Sequence, residues 1–365
     1  MGVLVGLLRG GGSLPRGSLP RGPACWHTAA FVAAHDKRQG AGVARQIWIE
    51  RSGGPEVMQL ADRAPESPGP GMVQVAVQAA GLNFIDTYHR SGLYPIPLPS
   101  GLGSEGAGVV EAAGEGVELP VGARVAWCTA TLGSYAERVN LPADRLVVLP
   151  DDIDAETAAA VMLKGQTVEY LLRRTYALQP GETCLFHAAA GGVGLLFGQW
   201  ASALGAEVIG TVGSDEKVEL ARRHGYRHVI NYRREDVAAR VREITAGEGV
   251  PVVYDGVGRD TFTASLDSLR PRGLLVSFGN ASGPPPALEL QELTRRGSLY
   301  VTRPTLATYT ASAEELQASA KAVFEQLQRG HLTVDIRQRY ALEDAAQAHR
   351  DLEARRTTGS SVILP

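Results

Sequence analysis

The sequence has few of the residues and patterns that would support several common classes of protein. Its three cysteines, Cys25, Cys128 and Cys184, lie far apart and form no CxxC pair, which argues against a disulfide framework and against a structural zinc lobe. No uninterrupted apolar run approaches the roughly eighteen residues of a membrane-spanning helix. The formal net charge of −3 gives no electrostatic reason to expect binding to nucleic acid or to a membrane surface.

What remains is the composition of an ordinary globular protein with room for two domains. The chain has 365 residues, of which 44% are hydrophobic and 21% are charged, enough for two separate cores. Residues 1–43 differ, because they are rich in glycine, proline and arginine, repeat SLPRG, and contain no acidic residue before Asp36. Such a segment has little to pack, and it would not form the amphipathic helix of a transit peptide. We therefore expect a disordered leader or an over-extended start, and a fold that begins near Ala44.

The most informative segment covers residues 183–217. The apolar residues 184–186 predict a strand, a glycine turn follows, and apolar residues at helical spacing predict a helix behind the turn. Residues 206–212 are rich in β-branched side chains and predict a second strand. Strand, turn, helix and strand within about thirty residues are the order of a dinucleotide-binding unit.

The glycine turn itself supports a pyrophosphate site. Gly191, Gly192 and Gly194 let the backbone approach a ligand with no Cβ atom in the way. The helix that starts there directs its free amides and the positive end of its dipole at the turn. Ala189 occupies the first glycine position, so the pattern is a relaxed GxGxxG, and an ordinary glycine turn is the alternative interpretation. The surrounding elements favour the dinucleotide site.

The end of the second predicted strand indicates which dinucleotide would bind. An NAD site usually has an acidic residue there, about twenty residues after the glycines, to hold the ribose 2′-hydroxyl. This chain has Gly213 and Ser214 instead, and Lys217 falls in the first turn of the next helix, for which Ser214 is a natural N-cap. The adjacent Asp215 and Glu216 oppose a phosphate, although acids in a first helical turn are also stabilised by the helix dipole. The pattern favours NADPH.

The chain on either side of this unit has a different pattern. Before it, short glycine-rich strands predict a small, partly closed β-domain, and a long helix is expected from its N-cap at Asp154 to about Leu171. After it, strands at residues 229–230, 252–254 and 274–278 alternate with helices. This alternation predicts a doubly wound parallel sheet that binds its ligand at the carboxyl ends of the strands. The last sixty or so residues are expected to return to the β-domain.

Several motifs together resemble one family. They are GLNFIDTYHRSGLY (81–94), GLGSEGAGVV (101–110), LKGQTVEYLL (163–172), HAAAGGVG (187–194), VINYR (229–233), VVYDGVGRDTF (252–262) and VSFGNASG (276–283). They resemble the medium-chain dehydrogenase/reductase superfamily and, within it, the zinc-independent NADPH:quinone oxidoreductases of the zeta-crystallin type. The resemblance covers the chain from about residue 44 onward. It implies an α/β fold with a GroES-like, partly closed β-barrel substrate domain (44–164 and 306–365) and a Rossmann NADPH-binding domain (165–305).

Two positions depart from the zinc alcohol dehydrogenases of the same superfamily. Asn83 stands where those enzymes carry a zinc-ligating cysteine, and Gly103-Ser104-Glu105 stands where they have Gly-His-Glu. Without cysteine and histidine ligands, a catalytic zinc of the usual type cannot form. We therefore expect no metal, and we interpret Glu105 as a buried structural carboxylate.

The resemblance also implies individual site residues. Asn83 and Tyr88 would face the nicotinamide and the substrate as catalytic residues, although Tyr88 could be a half-buried surface aromatic. Arg355 would close over the adenosine 2′-phosphate from the return segment, although it could be one more solvated charge. The complete set of expected cofactor-binding residues is Lys164, Thr167, Ala190, Gly191, Gly192, Val193, Gly194, Gly213, Ser214, Lys217, Tyr232, Val257, Phe278, Gly279, Asn280, Arg303 and Arg355.

The function implied by the resemblance is electron transfer from NADPH to small quinones, one electron at a time in the family, by a cytoplasmic homodimer. The sequence shows no acid–base pair, so we expect Asn83 and Tyr88 to position the substrate and solvent to supply protons. One alternative is an NADPH-dependent reductase of α,β-unsaturated carbonyls. A second is an NADPH-linked single-stranded RNA-binding or structural, crystallin-like protein, against which the acidic charge balance weighs.

Overall fold

The computed structural model describes residues 43–63, 66–129 and 131–365 of the chain. The predicted leader therefore lies outside the described residues, except for Val43. None of the helices in the described part is long and apolar enough to span a membrane.

The β-rich part of the protein is built from two antiparallel groups of strands. Its elements are β1 (Ala44–Ile49), β2 (Gln59–Arg63), β3 (Met72–Gly81), α1 (Phe84–Ser91), β4 (Ser100–Gly101), β5 (Glu105–Ala113), β6 (Arg124–Cys128), β7 (Arg138–Pro142) and β8 (Val147–Val148). A three-stranded sheet has the order β2-β1-β4. Alternate residues of β3, Val73, Val75 and Val77, are buried, as the period of a half-buried strand requires. The predicted β-domain is confirmed, and no closed barrel is needed to describe it.

The dinucleotide unit lies in a six-stranded, fully parallel sheet. Its elements are β9 (Thr183–Phe186), α3 (Gly192–Ala203), β10 (Glu207–Val212), α4 (Asp215–Arg223), β11 (His228–Asn231), α5 (Val237–Ile244), β12 (Val250–Asp255), α6 (Phe262–Ser268), β13 (Leu269–Ser277), α7 (Leu290–Arg295) and β14 (Tyr300–Thr302). The strand order is β11-β10-β9-β12-β13-β14. The order reverses between β9 and β12, and a crevice at such a point is where ligands bind in open α/β sheets. The predicted doubly wound sheet is confirmed.

One long helix connects the two parts of the fold. Helix α2 (Ala155–Tyr170) starts at Asp154, whose carboxylate accepts a hydrogen bond from the Thr157 amide at 2.8 Å. It packs against β3 and β5 and also against α3, so most of its side chains are buried. The helix ends in a π-helical turn, Leu171–Thr175, a feature often found beside functional sites.

The end of the chain returns to the β-rich part, as expected. Its elements are α8 (Leu306–Tyr309), α9 (Ala313–Gln328), β15 (Ile336–Ala341), α10 (Ala345–Glu353) and β16 (Ser360–Leu364). Strand β16 pairs with β3, so the second sheet has the order β15-β16-β3-β5-β6-β8, with β7 also pairing with β3. The amide of Gly359 donates to the carbonyl of Ala190 at 3.1 Å, which ties the return segment to the glycine turn.

A chain of buried polar groups joins α1 to α10. Arg90 is almost fully buried and donates to Glu353 at 2.6 Å and to His349 Nδ1 at 3.0 Å. His349 lies beside Tyr135, whose hydroxyl donates to Asp86 at 2.8 Å. Burial, and then the neighbouring Arg90 charge, lower the pKa of His349 to about 3. This histidine is therefore neutral in the folded protein at any ordinary pH.

The neutral His349 makes stability depend on pH. In the unfolded chain a histidine takes up a proton near pH 6.5. Because the folded protein binds this proton only near pH 3, acid favours the unfolded chain, and the free energy of unfolding falls progressively between about pH 6.5 and pH 3. When the pH is lowered from 7 to 5.5, the free energy of unfolding of the wild type should fall by about 1 kcal/mol more than that of His349→Gln. Urea unfolding at both pH values measures this. Equal losses in the two proteins would show that His349 is already protonated in the fold.

Candidate active site

A cleft of about 610 Å³ runs along the carboxyl ends of the parallel strands. The residue directly after each of the six strands lines it: His187, Gly213, Tyr232, Gly256, Phe278 and Arg303. The β-rich part supplies the opposite wall, which is apolar and aromatic and includes Phe84, Ile85, Tyr88 and Tyr94. The cleft therefore lies where the strand order predicted a ligand.

The glycine turn forms the floor of the cleft and has no room for side chains. Gly191 is the N-cap of α3, and Ala188 before it adopts a left-handed backbone conformation with φ 60°. A Cβ on Gly194 would lie 2.5 Å from the carbonyl oxygen of Ala188, and one on Gly192 would lie 2.9 Å from Cδ of Lys164. The start of α3 therefore faces the cleft with no side chain in the way, and such a helix N-terminus suits a pyrophosphate.

At one end of the cleft, two side chains and one backbone amide donate to a buried carboxylate. Glu105 Oε2 accepts hydrogen bonds from Asn83 Nδ2 at 2.7 Å and from Lys164 Nζ at 3.2 Å. Glu105 Oε1 accepts from the Leu163 amide at 2.7 Å. Glu105 has no exposed surface, so burial raises its pKa, while the Lys164 charge and these hydrogen bonds act in the opposite direction. The carboxylate is buried, as expected, and it also fixes two of the predicted site residues.

A second buried acid supports Asn83 from behind. Asp86 Oδ2 accepts from the Asn83 amide at 3.0 Å, and Asp86 Oδ1 accepts from the Ser104 hydroxyl at 2.7 Å. Asn83 is the N-cap of α1 and Asp86 is its third helical residue. The bond from the Asn83 backbone amide to the Asp86 side chain is therefore one of the two hydrogen bonds of a capping box. The start of α1 is therefore fixed at the point where Asn83 enters the cleft.

Two tyrosines of the aromatic wall are held by the loop after β13. The hydroxyl of Tyr88 accepts from the Asn280 amide at 3.0 Å, and the hydroxyl of Tyr94 accepts from Asn280 Nδ2 at 3.1 Å and from Arg303 at 2.9 Å. The two rings meet edge to face, with centroids 5.1 Å apart. Arg303 also donates to the carbonyls of Ser277 and Gly279. These bonds fasten the aromatic wall to the parallel sheet.

The far end of the cleft carries cations. Lys217 Nζ donates to the carbonyl of Arg355 at 3.0 Å, and the Arg355 guanidinium contacts the Tyr232 hydroxyl at 3.5 Å and Asp260 at 3.2 Å. Burial lowers the pKa of Lys217, and the charges of Arg233 and Arg355 lower it further. Several cations that repel one another around a half-buried lysine would be stabilised by a bound anion, so this end of the cleft suits an anionic group.

Comparisons with known proteins agree with this architecture. Residues 69–151 match the family model described as alcohol dehydrogenase GroES-like domain, and residues 192–321 match the one described as zinc-binding dehydrogenase. A quinone oxidoreductase of Pseudomonas aeruginosa is 58% identical over 88% of this chain and its own entire length. The chain belongs to the quinone oxidoreductases.

Two further relatives bear on the site. The crystal structure of Escherichia coli quinone oxidoreductase complexed with NADPH has a TM-score of 0.87 and 50% identity, and the match covers 88% of this chain and all of that one. A 2-haloacrylate reductase from a Burkholderia species is 44% identical over 87% of this chain and 98% of its own. The resemblance drawn from the sequence motifs is confirmed.

The residues present do not fit a zinc ion, although one matching model carries zinc in its description. In this quinone oxidoreductase, Asn83 is hydrogen-bonded to Glu105, and the Ser104 hydroxyl is used by Asp86. Within the described ranges, no three histidine, cysteine, aspartate or glutamate side chains are grouped to hold a metal. An amide nitrogen and a hydroxyl are poor substitutes for thiolate and imidazole ligands.

Most of the predicted site residues line the cleft, and two do not. Ser214 is the N-cap of α4 and makes no capping hydrogen bond with its side chain, and Asn280 is buried behind the two tyrosines; neither contributes to the lining. Their proposed contact with cofactor stays a prediction. The cleft is lined by the other predicted residues, which are Asn83, Tyr88, Lys164, Thr167, Ala190, Gly191, Gly192, Val193, Gly194, Gly213, Lys217, Tyr232, Val257, Phe278, Gly279, Arg303 and Arg355.

Sequence reasoning missed several lining residues. Tyr170 lies one helical turn after Thr167 on α2, and that spacing could have revealed it; its ring stacks on Tyr309 at 4.5 Å. Asp260 and Thr129 gave no signal in the sequence. Thr129 has a left-handed backbone with φ 57°, and its buried hydroxyl has no hydrogen-bond partner among the described residues.

Proposed function

We propose that this protein uses NADPH to reduce small quinones. The observation that carries the proposal is a single cleft with a glycine turn in the middle, cations at one end and an apolar, aromatic wall at the other. Planar neutral substrates suit such a wall better than anions or sugars do, because it offers flat apolar surface and few charges. The names of the close relatives support the same substrate class.

The residues of the cleft fit NADPH as the cofactor. The open amides of the glycine turn would hold the pyrophosphate, and Lys217, Tyr232 and Arg355 would hold the 2′-phosphate. Lys164 and Thr167, on α2, would lie on the nicotinamide side. When bound, the cofactor supplies the electrons for reduction.

The protein itself would orient the substrate and exclude water. Asn83, fixed by Glu105 and Asp86, would set the position of the polar end of the substrate, and the rings of Tyr88 and Tyr94 would form a rigid flat surface. Holding reactants in a fixed geometry lowers the entropic part of the barrier. The hydrogen bonds from Asn280 and Arg303 make this surface rigid before the substrate arrives.

A reductase of α,β-unsaturated carbonyl compounds is the second candidate. It is favoured by the 44% identical relative named 2-haloacrylate reductase. The same cleft would serve both reactions, since an activated alkene is also flat and conjugated. The two proposals share the fold and the cofactor and differ only in the acceptor.

The substrate proposal is tested by NADPH oxidation with a panel of benzoquinones, naphthoquinones, alkenals and 2-haloacrylate. We expect quinones to be turned over fastest at matched concentrations. Tyr88→Ala should raise the KM for quinones more than it changes NADPH affinity. Tyr88→Phe is the matched control, because it keeps the ring and removes only the hydroxyl. A clear preference for alkenals or 2-haloacrylate would favour the second candidate.

The cofactor proposal is tested by replacing Lys217. Losing a charge-assisted hydrogen bond to a phosphate costs about 1.5–3 kcal/mol, so Lys217→Ala should weaken NADPH binding roughly 10- to 100-fold and hardly affect NADH. Fluorescence titration with both nucleotides measures the change. Lys321→Ala is the control, since Lys321 is an exposed lysine on α9. Equal affinity of the wild type for NADH and NADPH would refute the argument.

We also propose that the protein is a cytoplasmic homodimer, joined at β14. This strand is the edge of the parallel sheet, and Tyr300 is 61% exposed, which makes the edge a template for pairing with a second copy. Light scattering should give twice the chain mass for the wild type and the monomer mass for Tyr300→Lys. Val121→Lys, at an exposed apolar position outside the parallel sheet, should stay dimeric. A monomeric wild type would end this proposal.

A further inference from the structure

Lys164 is a cation in an unusual setting. Its side chain is only 6% exposed, and its hydrocarbon stem passes beneath the glycine turn, next to Gly192. Lysine is almost never buried to this degree without a specific partner. Yet Lys164 also lines the cleft, so the charge is kept close to where a substrate would lie.

A count of donors and acceptors shows that this ammonium is not fully used. Its one polar partner among the described residues is Glu105 Oε2, at 3.2 Å. An ammonium has three N–H donors, so two remain unassigned. Glu105, in contrast, has both of its oxygens hydrogen-bonded, because it also accepts from Asn83 and from the Leu163 amide. The carboxylate therefore fixes the ammonium without consuming its donor capacity.

Quinone reduction creates negative charge that such a cation would stabilise. In a hydride transfer, which moves both electrons together and not one at a time as the resemblance implied, a quinone becomes a hydroquinone monoanion, with negative charge on an oxygen that was neutral before. Positive groups already in place where charge develops are among the largest contributions to catalysis. Two other titratable groups near Lys164, Asp86 and Cys128, are fully buried and do not line the cleft. His187 does line it, but both of its ring nitrogens are bonded, to Thr211 and to Ser265.

We propose that Lys164 is a catalytic residue whose ammonium stabilises the negative charge on the substrate oxygen and then gives that oxygen its proton. An N–H bond of Lys164 breaks as the O–H bond of the hydroquinone forms. The neutral amine then takes a proton back from solvent. The sum is quinone, NADPH and one proton giving hydroquinone and NADP⁺. Glu105 is a positioning residue in this scheme. The inference rests on the proposed function.

The decisive experiment compares Lys164→Met with the wild type on a series of 1,4-quinones that differ in the basicity of their hydroquinones. The average turnover rate should fall roughly 100-fold, and the loss should grow with the basicity of the oxygen that must be protonated. NADPH affinity, followed by fluorescence, should fall much less than the turnover rate, and its change should be the same whichever quinone is used. Lys164→Arg, which restores a cation, should recover part of the rate for the most basic acceptors. Lys321→Met, an exposed lysine replaced in the same way, should match the wild type.

A second variant separates loss of the catalytic role from loss of folding. Lys164→Met leaves the buried Glu105 without its counter-ion, which is strongly destabilising in general. Lys164→Met combined with Glu105→Gln removes both charges at similar volume and should fold, with the same growing loss of rate along the quinone series. A loss of equal size for all acceptors, or no loss, in either variant would overturn the role of Lys164. A wild type that reduces no quinone would instead refute the proposed function itself.

Discussion

The buried carboxylate of Glu105 is the interaction on which the substrate end of the cleft depends. It lies at the start of β5 and binds Asn83 at the start of α1 and Lys164 in the middle of α2. An unpaired charge at such a depth would cost several kcal/mol, so the three elements are stable only in this mutual arrangement. Even the neighbouring backbone is adapted to it, because a Cβ on Gly81 would lie 2.1 Å from the Glu105 carboxylate.

The two ends of the cleft differ in how deeply their charges are buried. At the substrate end the charges of Glu105 and Lys164 are buried, paired and hydrogen-bonded, so its geometry is fixed before any ligand arrives. The cation end is half-exposed, and its contact between Arg355 and Asp260 is a surface ion pair, of a kind worth little by itself. A phosphate could therefore replace Asp260 as the partner of Arg355 at small cost. The substrate end of the cleft is therefore rigid, and the cation end can rearrange its ion pairs when a ligand binds.

The sequence predicted the parts of this site that depend on local pattern. The strand, glycine turn and helix around Gly191, and the ligand position at the strand ends, follow from periodicity and from residues close in sequence. The role of Glu105 could not be predicted in the same way, because its partners Asn83 and Lys164 are 22 and 59 residues away. Only packing brings them together. Ser214 was predicted from local pattern too; it is the N-cap of α4, as that pattern indicated, and its contact with the cofactor stays a prediction because its side chain is not part of the cleft lining.

The hydrogen bond from Gly359 to Ala190 has a consequence for how the protein is made. The glycine turn lies near the middle of the sequence, and one of its structural partners, Gly359, follows it only after the rest of the parallel sheet. The turn cannot acquire its final support until residue 359 has left the ribosome and β16 has joined the second sheet. The last strand of the parallel sheet ends at Thr302, so a nascent chain holds all six strands of that sheet before it can present a finished nucleotide pocket.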